Sequence, residues 1–424
     1  MTISVAVAGD AILTRRVNRL RSAAFCDLVD QVRQADAAFV NLELATPKPP
    51  FLPSIKGHGI YISAQPAAID DLAWMGFSLV SNANNHALDY SPSGLLDTLE
   101  QLDARALTHA GAGASLAEAR RPAYLDTANG RVALVAATTT WADRYMASDP
   151  AGRIGARAGV NPLRYTIEHG VDTKDLAALR HIKAALQHTR TEPAAGPLRF
   201  ADQTFRSDIP PGVATRLNET DMAALIRSVE EGAQQADVVL ASLHFHEGRE
   251  GVMTTAEPAS HITEAARRLI DAGAAAVLGH GPHRLQGVEV YDGKPIIYSL
   301  GNLFFMLETI AVLPPECLEA EGLPPSASVR DYASTDVHRV LYTPPMWEGA
   351  VAMLRIGPGG SAEVELWPVD LGLERHDSTR GVPLLAGAGR GRAILDSVAE
   401  LSKPFGARLR CEERGGQVVG VVDG

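Results

Sequence analysis

Residues 274–283 read Ala-Ala-Ala-Val-Leu-Gly-His-Gly-Pro-His. The apolar run Ala274 to Leu278 has the length of a buried strand, and the Gly/Pro turn behind it carries two imidazoles, His280 and His283. A polar turn delivered by a buried strand suits metal binding or acid–base chemistry better than packing. The same arrangement occurs four more times upstream. Asp10 follows Ile3 to Ala8, and Glu43, in Asn41-Leu42-Glu43, follows Ala37 to Val40. Asn85-His86 follow Ser78 to Ser81, and His244 follows Val238 to Leu243. These strand patterns alternate with helical ones at about 23–33, 66–75, 91–102, 221–235 and 262–272. Such alternation predicts an α/β fold whose binding groups gather at the carboxyl ends of strands.

Outside these segments the reading is coarser. Ser91 is a candidate N-cap for the helix 91–102, Thr108 to Gly113 reads as a glycine-punctuated turn, and Arg131 to Ala137 as a strand. From 138 to 218 prolines, glycines and charges dominate around one helical pattern near 174–187. This reads as an insertion carrying substrate-facing loops. A hairpin, 287–291 with 295–298, leads to Ser299-Leu300-Gly301-Asn302. Residues 306–345 form a second irregular insertion, rich in proline and acidic residues. Strands at 347–356 and 362–371, a helix at 390–402 and a short strand pair near Leu409 and Val418 follow. The expected organisation is a core over 1–305 interrupted by 138–218, with 346–424 completing the same domain.

Composition narrows the function. With 424 residues and 46% hydrophobic content the chain can bury a large core. A net charge of −11 argues against a nucleic-acid surface. Cys26, Cys317 and Cys411 are too few and too scattered for a disulfide framework or a CxxC metal site, so free thiols in a reducing compartment are expected. The first residues run straight into a strand, and nowhere do about 18 apolar residues follow one another. The expectation is a cytoplasmic protein with no membrane partner. No Gly-Lys-Ser/Thr follows Gly111-Ala112-Gly113, and no Gly-x-Ser-x-Gly is present.

The strand ends together supply Asp10, Glu43, Asn85, His244, His280 and His283: two carboxylates, an amide and three imidazoles. Mixed nitrogen and oxygen donors without thiolates suit Mn, Zn, Fe or Ni, and no organic cofactor is expected. His86 could serve as general acid or base, with Asp10, His244 and His280 as further acid–base candidates. His246 alternates with His244 about Phe245, so both face one way if the strand continues. Arg15 and Arg16 could hold a substrate carboxylate or phosphate bidentately, or be solvated surface arginines. His246 and Asn302 join them as candidate substrate-binding residues.

The ordered set Gly9-Asp10, Asn41-Leu42-Glu43, Asn84-Asn85-His86 with Asp89, and His109-Ala110-Gly111-Ala112-Gly113 continues through His244-Phe245-His246-Glu247 and Gly279-His280-Gly281-Pro282-His283. It ends with Glu289-Val290-Tyr291, Gly293-Lys294-Pro295 and Tyr298-Ser299-Leu300-Gly301-Asn302. This set resembles the CapA-type proteins linked to poly-γ-glutamate capsule synthesis, a branch of the calcineurin-like metallophosphoesterases. The resemblance implies a four-layered α/β/β/α sandwich with a metal site at the sheet edge. It also implies Asp10, Glu43, Asn85, His244, His280 and His283 as ligands, and His86 as the catalytic histidine. Two features depart from the phosphoesterase pattern: Ile12 stands where a histidine is expected, and Glu43 stands where the bridging aspartate is expected. The resemblance extends to soluble members that epimerise the C-terminal residue of a lasso-peptide precursor. The expected partner is then a peptide with a free carboxylate, and the expected activity is peptide epimerisation. Metal-dependent phosphoester hydrolysis and a role in poly-γ-glutamate synthesis or binding are the alternatives.

Overall fold

The computed structural model describes residues 2–55, 59–187, 196–249 and 252–423. Two sheets lie face to face. The first is ordered 408–414, 417–423, 362–370, 348–356, 3–12, 37–42, 79–81 and 108–110, and strand Asn302–Phe305 runs parallel to the end of Ile3–Ile12. The second is ordered 288–291, 294–297, 276–280, 238–244, 130–138 and 123–127.

Alternation within strands explains the layering. Val5 and Val7 point into the core shared by both sheets, while Ala6 and Ala8 face a second core with the helices Ala23–Arg33 and Ala67–Met75. In Gly130–Thr138, Val132, Leu134 and Ala136 meet the first sheet. Ala133, Val135 and Ala137 meet the helices Glu219–Gln235 and Ser260–Asp271. Strands buried on both faces must be apolar throughout, which is why these segments read as runs. The layers are therefore α/β/β/α, as the resemblance implies.

Several local readings change. Ala276–His280 is the strand, so His280 ends it and only His283 lies on the turn. Ser91 is the first helical residue, not the cap, and its hydroxyl donates to the Leu52 carbonyl at 2.6 Å. Thr108–Ala110 and Ala112–Gly113 are short strands hinged at Gly111, whose φ is +91°. The insertion carries regular structure: strands 198–200, 203–206, 165–170 and 212–217 make a separate small sheet beside helix Thr173–Gln187. Most of its strand residues are only half-buried, so they lack the apolar runs that mark the core strands.

The main sheet closes tightly behind the site. A β-carbon on Gly9 would stand 1.8 Å from the Gly301 carbonyl oxygen, which also accepts the Asp10 N–H at 3.1 Å. Gly9→Ala must push two backbone segments apart, and we expect a loss of about 3 kcal/mol in stability, read by denaturant unfolding. An unchanged midpoint would show that this strand end has room to spare.

Candidate metal and acid–base site

Register brings the polar strand ends together. Asp10 pairs with Asn41 on one side and Asn302 on the other, Asn41 pairs with Ser81, and in the facing sheet His244 pairs with His280. Asp10, Glu43, His244 and His280 are fully buried and form the floor. Asn85, His86, His246 and His283 retain slight exposure and form the mouth.

The floor is held by an ordered chain of hydrogen bonds. Ser242 Oγ lies 2.7 Å from His280 Nε2, His280 Nδ1 lies 3.0 Å from His244 Nδ1, and His244 Nε2 lies 2.8 Å from Asn85 Oδ1. One assignment satisfies every link: the serine donates to His280, His280 donates to His244, and His244 donates to the amide. Both rings are then neutral. Burial drives this, pushing His280 down to about 4 and His244 and His246 well below the ordinary imidazole value. The neighbouring imidazoles add to the effect at His244 and His246.

Glu43 Oε1 is the hub of the mouth. His283 Nε2 lies 3.4 Å from it, His86 Nε2 and His246 Nε2 3.9 Å, and His244 Nε2 4.0 Å. The Nδ1 atoms of two of these rings are engaged behind. His86 Nδ1–H donates to Asp89 Oδ2 at 2.7 Å, and His283 Nδ1–H donates to Asn302 Oδ1 at 2.9 Å. Their Nε2 lone pairs therefore face a carboxylate, and two acceptors repel unless a proton or cation lies between them. His246 Nε2 is buried with no hydrogen-bond partner among the described residues. His283 also holds a left-handed backbone with φ of +56°, a strain that surrounding structure must maintain. Next to it, Gly281 has φ of +110°, and a β-carbon there would lie 2.5 Å from the Phe245 carbonyl oxygen.

These donors fit a divalent ion. Three buried triads, Asp10/His244/His280, Glu43/His244/His246 and Asp10/Glu43/His283, each present ligand atoms within 4.8 Å of one another. The set is the nitrogen and oxygen mixture expected of a transition metal. Asp10 is oriented for it, because the Asn41 amide donates to Oδ1 at 2.8 Å and the Gly281 N–H donates to Oδ2 at 3.0 Å.

Of the residues expected from sequence, Asp10, Glu43, Asn85, His86, His244, His280 and His283 come together. His246, expected to touch substrate, stands among the ligand candidates instead. Three residues expected to touch substrate are engaged within the fold. The Arg15 guanidinium donates to the carbonyls of Ser378, Asp377 and Arg380, which ties down the C-terminal segment. Arg16 pairs with buried Asp71 at 2.7 Å. Asn302 is occupied on both sides of its amide: it accepts from His283 and donates to the His283 and Met346 carbonyls at 3.2 and 3.0 Å. It positions His283. Asn41 and Ser242 are functional positions that the sequence reading passed over, although each lies two residues from a recognised one on the same strand face.

With three buried imidazoles held neutral, the metal-free protein should weaken in acid. The unfolded chain takes up protons below about pH 6.5, whereas folded His280 resists until about pH 4. Stability is full above that window and falls as pH drops through it, by about 3 kcal/mol for His280 alone. Thermal melts of chelator-treated protein between pH 7 and 5 check this, and a flat melting temperature contradicts it.

Among the described residues no helix is long and apolar enough to cross a membrane. The family profile described as "Bacterial capsule synthesis protein PGA_cap" matches residues 4–306, which contain every ligand candidate. The chain is 35% identical over 430 aligned positions to the uncharacterized protein y4sH of Sinorhizobium fredii, covering 97% of this chain and 91% of that one. It is 26% identical over 246 positions to the PGA biosynthesis protein CapA of Bacillus subtilis, covering 58% of this chain and 47% of that one. Against the capsule biosynthesis protein CapA of Bacillus anthracis the identity is 22% over 246 positions, covering 58% and 44%. With its profile match, its sandwich fold and its strand-end cluster in agreement, the chain belongs to the PGA_cap family of bacterial capsule synthesis proteins.

Proposed function

We propose that this chain is a metal-assisted acid–base enzyme that inverts the Cα of a peptide residue beside a free carboxylate. The observation that carries the reading is the convergence of four imidazole Nε2 atoms on Glu43 Oε1 at the mouth of the site. Asp10, Glu43, His244, His246, His280 and His283, with Asn85, would hold the metal. When bound, the metal supplies Lewis-acid stabilisation of negative charge on a substrate oxygen.

The remaining work falls to the protein. A Cα proton is weakly acidic, so its removal needs a positioned base and a site that stabilises the enolate-like oxyanion. His86 is that base. Asp89 accepts its Nδ1–H, fixing the tautomer that leaves Nε2 unprotonated and steadying the imidazolium that forms. The Cα–H bond breaks, the proton goes to His86 Nε2, and the electron pair moves into the adjacent carboxylate. Reprotonation on the opposite face comes from water at the mouth of the site, and the proton count balances over the cycle when His86 returns its proton to water.

The test is incubation in deuterium oxide with metal-loaded protein and short peptides ending in a free carboxylate or in an amide. Cα deuterium and a D-residue are expected with the carboxylate peptide, and their absence overturns the reading. Phosphoester hydrolysis is the second reading, favoured by triads that share His244 and Glu43, as two adjoining ions would require. Against it, Ile12 packs in the helix-side core and brings no donor. Turnover of an aryl phosphate without Cα exchange would replace the first reading by the second.

A further inference from the structure

Glu247 follows His246 directly, is only 4% exposed, and takes no part in the chemistry described above. Burying a carboxylate is costly unless its oxygens are hydrogen-bonded, and here both are. Oε2 accepts the Thr139 hydroxyl at 2.5 Å and the His246 N–H at 3.2 Å. Oε1 accepts the Thr140 and Tyr165 hydroxyls at 3.2 Å each. A carboxylate is acceptor-only, so it takes all four donors at once without requiring any hydroxyl to reverse.

The four donors come from three parts of the fold. Thr139 and Thr140 follow strand Gly130–Thr138, His246 follows strand Val238–His244, and Tyr165 opens a strand of the small inserted sheet. Thr140 Oγ1 also accepts the His246 N–H at 2.9 Å, so the carboxylate holds that amide both directly and through the threonine. On the far side the His246 carbonyl accepts the Thr254 N–H at 2.7 Å. With its backbone clamped at both ends, His246 packs its ring 5.1 Å from those of His244 and His283, and its Nε2 stands 3.9 Å from Glu43 Oε1. Tyr165 is itself steadied. Its ring stacks on buried His261, at the start of helix Ser260–Asp271, with centroids 4.3 Å apart and planes 15° from parallel.

We infer that Glu247 is the positioning residue for His246, and that through Tyr165 it makes the placement of His246 among the ligand candidates depend on the inserted sheet. The inference rests on the metal reading of the cluster and not on the proposed Cα chemistry. His246 belongs to one of the three triads, so a displaced His246 should weaken metal binding without abolishing it.

The experiment titrates the full-length protein with zinc by calorimetry. Glu247→Ala should weaken binding about tenfold, the lower end of what loss of an outer-shell partner costs. Added to His246→Ala, the same change should cost nothing further, because its effect passes through that ring; equal losses in both backgrounds overturn the inference. Glu247→Gln should stay near the parent. Its oxygen can keep the His246 N–H and the Thr139 hydroxyl, while the Thr140 and Tyr165 hydroxyls turn to accept from its amide. Tyr165→Phe keeps the ring on His261 and removes one donor, so it should weaken binding about threefold, and carries the test should Glu247→Ala fold poorly. A Tyr165→Phe protein that binds zinc like the parent overturns the coupling to the inserted sheet. Amide hydrogen exchange over residues 244–249 of the metal-free protein gives a second readout. It should quicken in Glu247→Ala and Tyr165→Phe but not in Glu247→Gln, and unchanged exchange in the first two overturns the clamp. A parent protein that binds no zinc removes the metal reading, and the exchange rates then decide the clamp alone. Loss of Cα exchange activity bears on neither.

Discussion

On the proposed acid–base reading, replacing His86 with alanine should lower Cα exchange by about three orders of magnitude, the middle of the range for removing a positioned acid–base group. The expectation comes from how the ring is held. Asp89 Oδ2 accepts both the His86 Nδ1–H and the Ile62 N–H, each at 2.7 Å, so the oxygen facing His86 is itself fixed in place. The His86 backbone N–H donates to Asn84 Oδ1 at 3.0 Å, and Asn84 donates to Asn41 and Leu42. The imidazole thus sits on a rigid frame with one edge directed at Glu43. Because His86 is at the mouth and belongs to none of the buried triads, its loss should leave metal content unchanged. The measurement pairs Cα exchange rates with metal analysis. A merely structural role predicts the opposite pattern, with metal lost and rate falling only in proportion. Asp89→Asn should fall between parent and His86→Ala, because the amide oxygen can still accept the Nδ1–H but no longer stabilises an imidazolium. Full exchange activity in His86→Ala would assign the base to another ring.

Much of this site could be read from sequence because its strands are buried on both faces. Such strands are largely apolar, so a polar residue at or near the end stands out, as Asp10, Glu43 and His244 do. Alternation carried further information: Ser242 precedes His244 by two, and Asn41 precedes Glu43 by two, which places each pair on one face. What could not be read was set by distant partners. Arg15 meets carbonyls more than 360 residues away, and nothing local distinguishes such an arginine from one reaching for substrate. Asn302 looked available until its fold neighbour His283 claimed it. The small inserted sheet escaped notice for a different reason: half-exposed strands between turns carry no long apolar run. Its contact with the site's surroundings, through Tyr165 and Glu247, follows from packing alone.

Substitution of Glu43 by glutamine should act in opposite directions on the metal-free and metal-loaded protein. In the metal-free state the carboxylate is fully buried, facing four imidazole nitrogens, with the Asn41 amide at 3.5 Å from Oε2. Burying a carboxylate carries a desolvation cost, and replacing a buried charge by a neutral group of the same shape is often neutral or stabilising. The glutamine amide is neutral, and its N–H groups can donate to the His283 and His246 lone pairs. Metal-free Glu43→Gln should therefore melt higher than the parent, by the equivalent of about 1 kcal/mol or more. Loaded with metal, the order reverses. Glu43 belongs to two of the three triads, and an amide is a poorer ligand than a carboxylate for Mn, Zn, Fe or Ni. Metal affinity should drop beyond the roughly 10–100-fold that loss of an outer-shell partner costs. Calorimetric titration and melting curves with and without chelator read both effects on the same preparation. Asp10→Asn supplies the comparison, since Asp10 shares one triad with Glu43 and holds another without it. If two ions bind, each variant should keep one equivalent; if one ion binds, both should lose it. A Glu43→Gln protein that melts lower without metal and binds it as tightly as the parent would mean that the carboxylate serves the fold, and the hub would have to be sought elsewhere. The opposite signs would instead identify a buried charge kept at a cost to stability because the chemistry requires it.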